Sequence, residues 1–442
     1  MAAAATASHR NMSLPPAIPA PAAPLPGGFD CEVLVVGGGP AGSTIAALLA
    51  ERGRDVLLVE KSHHPRFHIG ESLLPANVAL FDRLGVREEV ERFGMAKYGA
   101  EFVSPDHDHE AMIEFAEAWD KSMPYAWQVR RSELDELLFR NAAKKGARAL
   151  EGCRVRKVAF DAAGATVEAE LDDGARKTWR TRFLVDASGR DTLLANQFRC
   201  KEKNPKHNSS ALYGHFRGAR RLEGRLEGNI TIFWFDHGWF WQIPLADGAT
   251  SVGAVCWPYY LKSRTKPLPE FFRDTIALCP ALAERLADAE LVSEVHATGN
   301  YSYSSRISSG ERYLLLGDAY AFIDPVFSSG VYLAMQSGFA GADVVETALD
   351  RPRQAAAARR RFDRVMRRGP REFFMAPQNP LRVKEALISL LAGDIFGKTP
   401  IWASIFALKA LYYLVSLGHL GRSLAFWKRR RFNIRDAEVP AS

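Results

Sequence analysis

The stretch from Cys31 to Glu60 constrains the fold of this 442-residue chain more than any other. Cys31-Glu32-Val33-Leu34-Val35-Val36 has the nearly continuous apolar character of a strand covered on both faces. Gly37-Gly38-Gly39-Pro40-Ala41-Gly42 follows as a loop, Ser43 to Arg52 reads as a helix, and Val56 to Val59 reads as a second buried strand ending at Glu60. Gly37, Gly39 and Gly42 satisfy the GxGxxG spacing, in which the glycines allow a tight turn, close approach of backbone to a pyrophosphate, and packing of helix on strand. Pro40 and Ala41 complete a loop that opens a helix, where free N–H groups attract phosphate. Glu60 lies 23 positions after Gly37, where a carboxylate can accept hydrogen bonds from a ribose diol. An α/β unit with a dinucleotide site follows, and at this point FAD and NAD(P) are both open.

Composition narrows the setting. With 47% hydrophobic and 25% charged residues the chain can bury a large core, as two or three domains or one two-lobed unit. Cys31, Cys153, Cys200, Cys256 and Cys279 are scattered and form no CxxC pair, so neither a disulfide framework nor a zinc site is expected and a cytoplasmic location is the simplest. Much of the net charge of +7 sits in runs such as Arg359-Arg360-Arg361 and Lys428-Arg429-Arg430-Arg431, read as solvated faces. No aromatic-rich basic platform accompanies them, which sets nucleic acid aside. Residues 1–29, rich in Ala and Pro, are expected to be disordered, and the prolines from Pro15 to Pro26 break any secretory apolar segment.

Five further segments carry chemistry. Gly238-Trp239-Phe240-Trp241-Gln242-Ile243-Pro244 reads by itself as a buried aromatic strand with Trp239 and Trp241 on one face. Phe183-Leu184-Val185-Asp186-Ala187-Ser188-Gly189-Arg190 and Tyr313-Leu314-Leu315-Leu316-Gly317-Asp318-Ala319 are apolar strands running into small-residue turns. Phe67-His68-Ile69-Gly70-Glu71-Ser72-Leu73-Leu74-Pro75 reads as a shaping loop, in which Glu71 is also placed to cap a helix from Asn77 to Leu84. Ser329 and Gly330 stand at a turn entering a helix, a natural anion site.

In their order along the chain these segments resemble the flavin-dependent halogenases of phenols and pyrroles, within the aromatic-hydroxylase-like flavoprotein superfamily. The resemblance implies FAD as cofactor, supplied as FADH2, and chloride or bromide as second substrate. It makes Trp239, Trp241, Ile243 and Pro244 a wall between flavin and organic substrate, and Ser329 and Gly330 the halide site. Lys97, in Phe93-Gly94-Met95-Ala96-Lys97-Tyr98-Gly99-Ala100, matches the family's essential lysine, although a lysine alone reads as solvated. Asp318 would meet the flavin ribityl chain, with a helix cap as its other reading. In Gln128-Val129-Arg130-Arg131, Arg130 or Arg131 would neutralise the pyrophosphate, and Arg130 is assigned. The implied chemistry runs from a flavin C4a-hydroperoxide through hypohalous acid to the lysine and then to an electron-rich aromatic, free or tethered to an acyl carrier protein. A separate flavin reductase would supply FADH2. Where tryptophan halogenases carry a glutamate, this chain has Phe327, which points away from tryptophan.

The expected architecture is a Rossmann-type FAD-binding domain from residues 30–100, 125–195 and 300–345, with an inserted mixed β-sheet substrate domain from 101–124 and 205–298. A C-terminal helical cap would occupy 346–442. Within it Ile401, Ile405, Leu408, Tyr412 and Val415 recur at helical spacing, with Lys409 interrupting any membrane span. This helical region is read first as a cover for the substrate pocket, with a carrier, dimer or membrane surface as lesser alternatives. Two other functional classes stand beside halogenation: a single-component aromatic hydroxylase or prenyl-chain reductase, and a non-catalytic flavin-binding protein.

Overall fold

A computed structural model describes residues 25–105, 111–117, 122–203, 209–299, 302–322 and 325–375. The first sheet is built around five parallel strands in the spatial order Tyr313–Leu315, Arg176–Asp186, Cys31–Val36, Val56–Val59 and Arg148–Leu150. Its central strands bury Val33, Leu34, Val35, Leu57, Leu58, Leu184 and Val185, as expected of parallel strands sandwiched between helices. A hairpin, Cys153–Phe160 with Ala165–Leu171, extends from the strand Arg176–Asp186. The chain leaves Cys31–Val36 toward Val56–Val59 on one side and returns on the other side through Arg176–Asp186. The carboxyl ends of the two central strands therefore form a topological switch point, the usual ligand crevice of such sheets.

The second sheet is mixed. It runs Glu290–Leu291, Ser210–Arg217, Ala249–Cys256, Gly238–Pro244, Ile230–Phe235, Gly99–Val103 and Ala111–Glu114, and only the pairing of Ile230–Phe235 with Gly99–Val103 is parallel among the described strands. Its two faces follow the two-residue period. Phe233, Phe235, Phe240 and Val252 pack under the helices Leu268–Ala277 and Pro280–Arg285, while Tyr213, Ile230, Trp239, Trp241 and Ile243 face the first unit and meet Ile69 and Phe322.

Several expected boundaries move. Residues 25–29, taken as part of a disordered tail, form a turn closed by a bridge between Leu25 and Phe29. The first helix is Pro40–Glu51 rather than Ser43–Arg52, because Pro40 is suited to the first helical position. The substrate sheet takes in Gly99 and Ala100, since the strand Gly99–Val103 pairs along its whole length. The division at residue 346 falls inside the helix Gly330–Asp350, which packs on Pro40–Glu51. The next helix, Pro352–Met375, folds back on Gly330–Asp350, and Asp363 accepts hydrogen bonds from Ser308 and Ser309 at 2.6 and 2.7 Å. Its main described contacts are thus with the nucleotide unit. The segments 1–24 and 376–442, with the apolar helix read around Ile401 to Val415, lie outside the described residues. All five cysteines are buried and free. Among the described residues no helix is long and apolar enough to cross a membrane and no side-chain cluster fits a metal.

Candidate active site

A cavity of about 620 Å³ opens at the switch point and runs between the two sheets. Its first wall is the glycine loop. Gly37 has φ +105°, and a Cβ there would lie 2.2 Å from the Ala187 carbonyl oxygen; one on Gly42 would lie 1.9 Å from the oxygen of Gly37. Both are glycines because the fold itself has no room. Gly39 differs: its nearest neighbour would be Arg66 Nη2 at 3.6 Å, so the free space beside it belongs to the cavity. Pro40 and Ala41 line the same wall at the start of the helix, where first-turn amides have no helical acceptor. Glu60 is buried at the end of its strand. Its Oε2 accepts the Gly38 N–H at 2.7 Å and its Oε1 the Ser62 N–H at 3.0 Å, which fixes the carboxylate and leaves lone pairs for a diol.

Of the two adjacent arginines, the cavity receives Arg131 and not Arg130. Arg130 turns to the sheet unit, donating to Asp247 at 2.8 and 3.1 Å. Arg131 is buried, held by both oxygens of Asp135 at 2.9 and 3.1 Å and by the Ile69 carbonyl at 2.9 Å. Asp318 also faces the cavity. The 3₁₀ turn Gly317–Ala319 has no side-chain cap, so the capping alternative falls away. Burial pushes the Asp318 carboxyl up to about 6, against the opposing pull of Arg131 and Arg190.

At the far side the helix Gly330–Asp350 points its N-terminus inward. Ser329 is 1% exposed and its hydroxyl has no partner among the described residues, while a Cβ on Gly330 would meet nothing within 4 Å. An orphaned buried hydroxyl beside open space at a helix N-terminus fits an anion. Trp239, Trp241 and Ile243 form the sheet-side wall; the two indoles lie 6.1 Å apart, and Trp241 donates to Ser251 at 3.1 Å. Pro244 is not part of the wall. One residue beyond Ile243, it falls on the opposite face of the strand with Phe240 and Gln242.

Lys97 does not line the cavity either. It is 2% exposed, donating to Ser72 Oγ at 2.8 Å and to the Leu73 carbonyl at 3.1 Å, with its Nζ 5.3 Å from the centre of the Phe115 ring. Burial lowers its pKa to about 7, with no charged group among the described residues offsetting it. Only Ser72 separates the amine from the cavity along this contact, since Ser72 is among the cavity-lining residues. Glu71 does not cap the following helix, whose N-cap position is Pro75. It lines the cavity and pairs instead with His215 Nε2 at 2.9 Å, both being buried. That pair joins a loop of the nucleotide unit to the sheet, and nothing local in the sequence announces His215.

The arrangement agrees with the comparisons to known proteins. Residues 30–347 match the family model described as an FAD binding domain. A tryptophan 2-halogenase of Chondromyces crocatus is 38% identical over 72% of this chain, which spans 61% of that protein's length. A 1H-pyrrole-2-carbonyl-[peptidyl-carrier protein] chlorinase of Pseudomonas fluorescens is 32% identical over 72% of this chain and 76% of its own. Among solved structures, the myxobacterial chondrochloren halogenase CndH superposes with a TM-score of 0.74 at 32% identity, covering 86% of this chain and 96% of the other. The fold, a cavity with room for a dinucleotide, and relatives of this extent together place the chain in the family of flavin-dependent halogenases.

Proposed function

We propose that this chain halogenates an electron-rich aromatic ring, using FADH2, O2 and chloride or bromide. The observation that carries the proposal is Lys97, an amine enclosed in the protein with a lowered pKa and one hydrogen bond removed from the cavity. Such an amine is suited to hold or accept an electrophilic halogen, because a solvated ammonium has no free lone pair at neutral pH.

The residues around the cavity fit FAD. Ala41 and Gly42, at the first turn after Gly39, and Arg131 would hold the pyrophosphate, Glu60 the ribose and Asp318 the ribityl chain. Bound as FADH2, the flavin would supply the activation of O2 that converts halide to hypohalous acid. Ser329 and Gly330 would keep the halide at the helix N-terminus. Trp239, Trp241 and Ile243 would exclude the aromatic substrate from the flavin, so that oxidant reaches it through Lys97. The substrate class includes phenols and pyrroles, free or tethered to a carrier protein, the second supported by similarity to the pyrrole-carrier chlorinase. Indoles join it because of the tryptophan 2-halogenase, and the Phe327 side chain that argued against them lies outside the described residues.

A separate reductase is part of this reading, since the chain has no second GxGxxG unit for a pyridine nucleotide. The test is to mix purified protein with FAD, NADH, halide and a panel of phenols, pyrroles and indoles, with and without a flavin reductase. Product should appear only with reductase and halide both present. Rapid NAD(P)H-dependent flavin reduction without reductase would instead favour a single-component hydroxylase or reductase.

A further inference from the structure

Ser72 joins a loop that lines the cavity to the strand that carries Lys97. It belongs to the loop before the helix Ala76–Leu84, where Glu71, Ser72 and Leu73 run beside the strand Ala126–Gln128: Ser72 bridges to Gln128, the Leu73 N–H donates to Trp127, and the Val129 N–H donates to Glu71. The strand Met95–Lys97 pairs with the other edge of Ala126–Gln128. Two short strands and the bridged loop thus bring Ser72 and Lys97 together although they are 25 residues apart, with Nζ to Oγ at 2.8 Å.

A serine hydroxyl offers two acceptor lone pairs and one donor. Its oxygen already accepts from Lys97, and among the described residues no protein acceptor takes its hydrogen. Ser72 is 5% exposed and is one of the residues that line the cavity. We propose that Ser72 is a positioning residue for Lys97, fixing the amine with its oxygen while presenting its O–H to an oxygen-bearing oxidant that arrives from the cavity. The proposal rests on the halogenase reading for the identity of that oxidant; the contact itself does not. No bond to Ser72 is made or broken.

The groups facing the amine are few: the Ser72 hydroxyl, the Leu73 carbonyl and the Phe115 ring, with no charged side chain among the described residues in ion-pair range. Loss of the hydroxyl therefore removes one of two acceptors that stabilise the protonated amine, and Lys97 should titrate at lower pH.

The test compares Ser72→Thr with Ser72→Val, which are near in shape and differ in the hydroxyl, with Ser72→Ala as a third variant. Three quantities are read: the Lys97 titration, followed by NMR of protein labelled with ¹⁵N at lysine Nζ; halogenated product per flavin oxidised; and FAD affinity. Ser72→Val and Ser72→Ala should lower the titration midpoint and cut product per flavin by about tenfold, the scale of one hydrogen bond to a charged group. Ser72→Thr should restore both. A titration and product yield that are the same in Thr and Val variants would overturn the proposal. So would an FAD affinity that falls in parallel with yield, because Ser72 would then belong to the cofactor site. If the parent protein forms no halogenated product yet the titration moves as expected, the positioning contact stands and the halogenase reading falls.

Discussion

At the glycine-loop end of the cavity the backbone makes the shape and leaves it open; at the Lys97 end side chains fill the space and close it. Gly37 and Gly42 are fixed by contacts within the protein, and the space beside Gly39 is kept for a ligand. Lys97 instead bonds to Ser72 and lies over the Phe115 ring, and it is almost fully buried. The space beside the glycine loop is preformed, whereas among the described residues a hydrogen-bonded serine stands between the Lys97 amine and the cavity. Under the proposed reading such a division is useful, because water would have little access to the amine that takes up the oxidant.

The comparison is broken first at Lys97. Lys97→Ala should lower product formation about a hundred- to ten-thousand-fold, the range for a positioned proton-handling side chain. Reduced-flavin oxidation and FAD binding should persist, because Lys97 lies outside the cavity wall. Equal losses of flavin oxidation and product, measured in one reaction, would contradict the separation of the two ends.

At the open end, Gly39→Val should weaken FAD binding by about a hundredfold, or about 2.8 kcal/mol. The fold should survive, since the new side chain enters cavity space. Gly42→Val should unfold or fail to accumulate because its Cβ would strike the Gly37 carbonyl. Calorimetric titration with FAD and thermal melts separate the two; a Gly39→Val protein with parental affinity would remove the nucleotide site from this loop.

The closed end also has a signature in stability. The Lys97 pKa is lowered from 10.5 to about 7 in the folded protein, so between those values the unfolded chain binds more protons. Stability from this group therefore rises as pH increases from about 7 to 10.5. Its cost is fully present below that window and absent above it. Lys97→Met should flatten the rise by an amount on the order of a few kcal/mol, measured by denaturant unfolding at both ends of the window. An unchanged slope would mean that Lys97 is solvated.

The smallest effect distinguishes neighbours. Arg131→Gln should reduce FAD affinity about tenfold, as expected for one charge-assisted hydrogen bond, while Arg130→Gln should leave it near the parental value because Arg130 is committed to Asp247. The reverse ranking would restore Arg130 as the phosphate ligand.

The glycine loop was legible in sequence because its constraint is local: three glycines, a strand before and a helix after express one backbone geometry. The tryptophan face was legible because strand alternation fixes it, and the same alternation excludes Pro244, which the contiguous motif had swept in. Arg130 and Arg131 were not separable, since one position of rotation at a helix start decides which reaches the cavity. The link of Lys97 to Ser72 depends on two strand pairings, and that of Glu71 to His215 spans 144 residues. Neither leaves a local pattern. The domain limit at residue 101 failed for a related reason: Gly99 and Ala100 are assigned by partners at Glu114, Ile113 and Ile230 rather than by their own composition.

The central claim is that this cavity makes a halogenating oxidant and directs it to an aromatic ring. The most direct measurement supplies the parent protein with enzymatically reduced FAD, O2, and chloride and bromide together, over the phenol, pyrrole and indole panel in free and carrier-bound forms. Mass spectrometry then reads the isotope pattern of every product. The account predicts ring-halogenated product carrying the chlorine or bromine pattern and disappearing when halide is withheld. Hydroxylated product formed equally well without halide would contradict it.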